Sequence, residues 1–357
     1  MGKTRRHFHT FDALRFFSFL LVFLHHIPVP ESHFASFFSK SGGVGVIFFF
    51  VLSGFLITYI LLQEKSKTGK ILLKKFFVRR VLRIWPLFYG MILFAYLTPY
   101  ILQFLNLSSS NQGYNPNWLM SLFFLENYQM MLTNSFPNVS PLRLMWTLCI
   151  EEHFYIFWGI IMYYIPIKKV PHLILGSIIT ASVFRIVYLY LGLSTLDLLT
   201  NLDYFAFGAI PAYLLIEKNE VIHKISTISL PIKYGIATII LALSFMIPNL
   251  SYSLLYNIAP VLYGICFTCL ILFTLCYRNE LKIPDNYWIS KLGIYTYGLY
   301  LFHIIIINLL LRLGDKLELG IAWYSFSIIA LTCTILISMT SYYVFEKPFL
   351  RLKKHFY

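Results

Sequence analysis

The chain has 357 residues, of which 58% are apolar, 18% aromatic and only 12% formally charged, with a mean hydropathy of +0.71. A soluble domain needs about 25% charged residues to cover its surface, so a chain this apolar does not stay in water alone. Five cysteines without framework spacing exclude a disulfide-stapled secreted fold. A net charge of +14, which in a soluble protein would point to nucleic acid, has to be read by where it falls along the chain.

Apolar runs long enough to cross about 30 Å of hydrocarbon recur near 11–28, 43–62, 84–105, 146–166, 173–192, 201–217, 234–248, 256–277, 292–313 and 321–345. Irregular backbone and open strands cannot satisfy their hydrogen bonds in lipid, so the runs predict helices. The expected fold is an all-α polytopic membrane protein of about ten transmembrane helices. The shorter apolar segment Trp118 to Thr133 is interrupted by Glu126 and Asn127 and reads as an interfacial or re-entrant piece. There is no internal repeat, low-complexity tract or long linker, so residues 1–357 read as a single integral-membrane domain.

Lys and Arg set the orientation. Of the 29, Lys40, Arg143, Arg312 and Lys316 fall on one side and Arg15 and Arg185 lie within spans. All the others, including Lys3, Arg5, Arg6 and the run from Lys65 to Arg83, fall on the opposite side. That asymmetry predicts cytoplasmic N- and C-termini. The basic N-terminus mimics a signal peptide, but Arg15 interrupts its apolar run and no small-residue cleavage site follows His26, so it is expected to be retained.

Ionisable residues within spans are costly and therefore mark candidate sites. In the first span, eleven residues separate Arg15 from His26, about 16 Å of helical rise. A snorkelling Arg and an interfacial His are the simpler reading. At the third span, Arg79, Arg80 and Arg83 recur at spacings of three and four. Positive-inside anchoring accounts for them, but nearby lysines already satisfy that rule, and planar guanidinium forks suit phosphate oxygens. In the fourth, Glu151 and Glu152 stand one to two turns below the outer end, at a depth similar to His26. A structural pair with Arg185 and a carboxylate that orients His26 are both open.

Further candidates are weaker. Ser53-Gly54 and the Gly42–Gly45 stretch fit helix packing better than a phosphate loop. Asp203 matches Arg185 in depth as half of a buried ion pair, and His303 lies midway through its span. Cys266 and Cys269 form a C-x-x-C without flanking charge, and no metal site is expected. Cys149 beside two carboxylates makes a poor thiolate.

Taken together, these residues resemble membrane-bound acyltransferase family 3, the transmembrane acyltransferase superfamily. The resemblance covers almost the whole chain. It rests on Phe11-Asp-Ala-Leu-Arg15 with His26, the run from Gly45 through Ser53-Gly54-Phe55, and Arg79-Arg80-x-x-Arg83-Ile84-x-Pro86. It continues in the run from Trp146 through Glu151-Glu152 to Tyr155, the run from Leu292 to His303, and Phe345-Glu346-Lys347-Pro348. Ile47, Cys149 and His153 stand where many members have Asp, Ser and Gln. The esterase-like C-terminal domain that some members carry is expected to be absent.

The resemblance implies an O-acyltransferase, most often an O-acetyltransferase, that moves an acyl group from cytoplasmic acyl-CoA to a hydroxyl of an extracytoplasmic glycan or glycolipid, in a bacterial inner membrane. Acetyl-CoA or another acyl-CoA would be the donor, membrane lipid the surroundings, and neither a metal nor nucleic acid a partner. Carried over by position, Arg15, Arg79, Arg80 and Arg83 would hold the CoA phosphates. The pantetheine arm, on the order of 15–20 Å long, would thread between helices toward His26, the general base, oriented by Glu151 or Glu152. Ser53, Trp146, Asp203 and His303 would line the substrate path, and Tyr114, Trp118 and Trp146 offer faces for sugar rings. An acyl-His26 relay is the alternative chemistry, and a small-molecule acceptor the alternative substrate. A transporter or flippase of a lipid-linked sugar is the competing class; it would show inverted repeats and broken helices, and neither pattern is present in the sequence.

Overall fold

The computed structural model describes residues 8–107, 112–250, 253–318 and 320–356, without side chains at 253–257. Lys3, Arg5 and Arg6 lie outside the described residues. Among those described the fold is all-α, with one isolated bridge between Tyr114 and Pro137.

Every expected span is helical. Among the described residues the ten long helices are α1 (Thr10–His26), α2 (Gly42–Thr68), α3 (Leu73–Phe104), α4 (Met145–Tyr164), α5 (Val170–Tyr190), α6 (Leu198–Glu217), α7 (Leu230–Met246), α8 (Ser253–Thr274), α9 (Thr296–Lys316) and α10 (Trp323–Ser341). By length and composition, seven helices among the described residues are long and apolar enough to cross a membrane, which makes this an integral membrane protein. The other three are α1, α4 and α8. Seventeen residues make α1 short, and it stops at an extended Ile27 followed by Pro28. Within α4, Glu151, Glu152 and His153 offset the apolar residues. In α8 the described apolar part is Ile258–Thr274.

One boundary moves. Helix α3 begins at Leu73, not near 84, so Arg79, Arg80 and Arg83 are helical residues, and the helix continues through Pro86 and Pro99, as membrane helices packed in protein tolerate. The segment 118–133 is two short helices, Trp118–Leu122 and Glu126–Thr133, joined by a turn with Phe124 at φ 58°.

Helices α2 and α6 form the centre, with α1, α4 and α8 around them and α9 and α10 closing against α1. The centre is tight because Gly54 of α2 meets the Phe205 backbone and Gly208 of α6 meets the Val51 carbonyl; a Cβ at either position would collide with backbone. Small residues let helices approach where lipid supplies no hydrophobic drive. Phe154 of α4 stacks on Phe205 at 4.0 Å, and the buried Trp158 Nε1 donates to Thr58 Oγ1 at 2.9 Å. The end of α4 is held from α2: Lys65 Nζ donates to the carbonyls of Met162, Tyr163 and Ile165 at 2.7, 3.0 and 2.6 Å. These carbonyls lack intrahelical partners, and a cation there also suits the helix dipole.

Candidate functional site

Helices α1, α2, α3, α4 and α9 enclose a cavity of about 370 Å³, completed by the end of α10 and the short helix Trp288–Gly293. Helix direction explains its polarity. Glycines near the start of α2 pack on the end of α1, so the two run antiparallel, while α3 and α9 run with α1 and α4 with α2. Cations early in α1 and α3 therefore gather at one end.

That end is lined by Arg15, Arg80, Arg83 and Lys353, with Asp12 and Glu346 among them. Arg15 Nη1 donates to Asp12 at 2.5 Å, which fixes the guanidinium on α1. Arg80 lies over the Tyr155 ring at 5.9 Å. Arg83 is exposed toward the cavity and makes no hydrogen bond or ion pair among the described residues. Glu346 comes from a π-helical turn, Tyr342–Glu346, that ends α10; the extra residue per turn re-aims the side chains that follow.

Midway along, Glu151 faces the cavity. Its Oε1 accepts from Ser53 Oγ at 2.9 Å and its Oε2 from Tyr155 OH at 2.8 Å. At the far end stand Val46, Thr147 and Tyr300, the last two sharing a hydrogen bond of 2.9 Å. Tyr300 also faces His303, ring centroid to ring centroid 5.8 Å, and His303 faces His26 at 5.1 Å. The histidines thus lie behind the Tyr300 layer and do not line the cavity.

The structure therefore brings together Arg15, Arg80, Arg83, Ser53 and Glu151, and sets the other expected site residues apart. Arg79 is buried outside the cavity, its Nη1 donating to the Phe356 carbonyl at 2.8 Å and its Nη2 lying 3.7 Å from Glu64. Adjacent helical residues diverge by about 100°, so Arg79 and Arg80 cannot both face the cavity. The same geometry separates the glutamates: Glu152 turns toward α3, where it accepts from Trp85 Nε1 at 3.4 Å.

Neither glutamate bonds to His26, whose Nδ1 contacts the Val22 carbonyl at 2.9 Å. Asp203 is wholly buried in an ion pair with Arg185, which lies over Tyr204 at 5.0 Å, and is no part of the cavity lining. Trp146 is half-buried away from the lining as well. Of the proposed sugar platforms, Tyr114 is committed to Glu126 at 2.5 Å, while Trp118 is exposed.

Cavity residues without an assigned role in sequence include Glu346, Lys353 and Tyr297, whose hydroxyl donates to the Ile84 carbonyl at 2.7 Å. An acid at the end of an apolar span was a signal for Glu346. No comparable signal marked Lys353, one of several basic residues in the C-terminal tail.

Fold and site together define an integral-membrane helical bundle built around a cavity with a cationic mouth. The chain belongs to acyltransferase family 3: the family model, described as an acyltransferase domain, matches residues 8–343. Among curated relatives, it is 31% identical over 197 residues to the peptidoglycan O-acetyltransferase OatA of Listeria monocytogenes, covering 52% of this chain and 29% of the relative. It is 34% identical over 163 residues to the putative peptidoglycan O-acetyltransferase YrhL of Bacillus subtilis, covering 44% and 24%. A putative O-acetyltransferase of Staphylococcus aureus, SACOL0978, is 27% identical over 377 aligned residues, covering 97% of this chain and 58% of the relative. The chain thus spans between 24% and 58% of the length of these relatives. No solved structure matches it.

Proposed function

We propose that the protein is an O-acyltransferase that takes an acyl group, acetyl above all, from cytoplasmic acyl-CoA and places it on a hydroxyl of an extracytoplasmic glycan or glycolipid. In this reading residues 1–357 form one membrane domain of ten spans with both termini in the cytoplasm, which puts the cationic end of the cavity on the side where acyl-CoA is found. The observation that carries the proposal is the cavity itself: three guanidinium groups and Lys353 at its mouth, and a largely apolar interior into which Ser53, Glu151 and Tyr155 project. Relatives named as O-acetyltransferases support the same chemistry.

Arg15, Arg80 and Arg83 hold the CoA phosphates at the mouth, where guanidinium forks match phosphate oxygens. The pantetheine arm enters past Tyr155 and Ser53, with Glu151 as the carboxylate facing it. His26 takes the proton of the acceptor hydroxyl as that oxygen attacks the thioester carbon; a positioned base contributes about 10²–10⁴-fold. Arg79, Glu152 and Asp203 serve the scaffold.

Membranes containing the protein, supplied with acetyl-labelled acetyl-CoA, test the proposal. Label passing into a glycan fraction, and lost in His26→Ala, is the expected result. Full transfer by His26→Ala would remove His26 as the base, and no label in any glycan or glycolipid fraction would contradict the activity.

A further inference from the structure

His26 ends α1 and His303 lies two turns into α9, with ring centroids 5.1 Å apart and planes at 69°. The two are held in the same way. Each Nδ1 sits on the carbonyl one turn back, Val22 at 2.9 Å for His26 and Leu299 at 3.2 Å for His303. A carbonyl only accepts, so in each neutral ring Nδ1 carries the proton and Nε2 presents a lone pair.

His303 is fully buried and its Nε2 has no hydrogen-bond partner. An acceptor sealed from water without a donor is unfavourable, and of the rings packed on His303 that of His26 is nearest, at 5.1 Å against 5.8 Å for Phe19 and Tyr300. The other titratable groups nearby are His25, whose Nδ1 is engaged with the Ser39 carbonyl at 2.8 Å, and Tyr300, whose hydroxyl is shared with Thr147. Among the described residues no carboxylate, Lys or Arg hydrogen-bonds or ion-pairs with either ring.

We propose that His303 is the positioning residue of His26, its bare Nε2 accepting a hydrogen bond from His26 once that ring is protonated. The inference rests on the reading of His26 as general base. During transfer the acceptor oxygen bonds to the acyl carbon and the carbon–sulfur bond breaks. The hydroxyl proton goes to His26, is shared with His303 while the imidazolium lasts, and leaves on the CoA thiolate, giving ester and free CoA thiol. In the resting structure the rings meet edge to face with no hydrogen bond between them, so the bond forms when His26, once protonated, turns its Nε2–H toward His303.

The test measures acetyl transfer by the full chain in membranes, as kcat and KM across neutral pH, for His303→Phe, His303→Gln and His26→Gln. His303→Phe keeps the apolar packing and removes the acceptor. It is expected to leave the KM for acetyl-CoA unchanged and to lower kcat on the order of 10²-fold. The acid limb of its activity profile moves to lower pH, because protonated His26 has lost a stabilising partner. His303→Gln, whose amide oxygen accepts, recovers part of both.

Wild-type kcat with an unmoved acid limb in His303→Phe overturns the inference. Retained activity in His26→Gln overturns the base reading instead. If His303→Phe does not accumulate, His303→Asn, too short to reach His26, decides: lowered kcat with a moved limb supports the inference, and wild-type values overturn it.

Discussion

Ser53 of α2 donates its hydroxyl hydrogen to Glu151 of α4 across 2.9 Å, at the midpoint of the cavity. With Tyr155 on the other oxygen, the carboxylate is aimed from two sides. A cavity carboxylate left free to rotate would present no defined face to a substrate arm, so this pairing is part of the site's pre-organisation.

Ser53→Ala removes one of the two donors and leaves a partly buried oxygen unpaired, at a cost of about 1–3 kcal/mol. Transfer is expected to fall in Ser53→Ala and further in Glu151→Gln, with the protein still folded. Glu152→Gln, on the Trp85 side of α4, should retain most activity. Steady-state transfer rates normalised to folded protein provide the comparison, and equal losses at both glutamates would contradict the assignment of the cavity face to Glu151.

Lys65 should matter for stability rather than chemistry. Its ammonium satisfies three carbonyls at the end of α4, and charge-assisted hydrogen bonds contribute about 1.5–3 kcal/mol each. Lys65→Met is expected to lose at least ~2 kcal/mol, read as a lowered Tm in detergent, with the KM for acetyl-CoA unchanged.

Outside the spans, Glu126 is wholly buried in its short helix, accepting from Ser121 at 2.6 Å and Tyr114 at 2.5 Å. Burial raises its carboxyl above the ordinary range, the two hydrogen bonds opposing. A folded-state value above the unfolded one means that the native protein binds the proton more tightly. The associated stability is therefore complete below about pH 4.3, the unfolded value, and is lost as pH rises through the folded one. Thermal melts across that window should show wild type declining with pH and Glu126→Gln, which never ionises, declining less. Parallel slopes would refute this.

The ten helices were legible because apolar length is a one-dimensional property, and α1 through α10 fall on the runs that predicted them. Depth was less legible: counting residues from a span's end put Glu151 level with His26, whereas Glu151 bonds to Ser53 midway along the cavity and His26 lies beyond the Tyr300 layer. What counting does not convey is direction around the helix axis. Arg79 and Arg80 are adjacent in sequence yet diverge, one to Glu64 and the Phe356 carbonyl, the other to the cavity. Azimuth depends on packing, such as the Gly54–Gly208 contact that sets α2 against α6, and on the π-helical turn that brings Glu346 in. The pairing of Asp203 with Arg185 was legible because two opposite charges in one apolar layer have few other solutions.

The central claim is that the cationic end of the cavity holds acyl-CoA. Its most direct measurement is the binding of acetyl-CoA to purified protein, followed as ligand-induced stabilisation, for wild type, Arg83→Ala and Arg79→Ala. Acetyl-CoA is expected to stabilise wild type, Arg83→Ala to keep its unliganded Tm but bind at least tenfold more weakly, and Arg79→Ala to lose Tm while the remaining folded protein binds nearly normally. Undiminished acetyl-CoA binding by Arg83→Ala, or no stabilisation of wild type by any acyl-CoA, would contradict it.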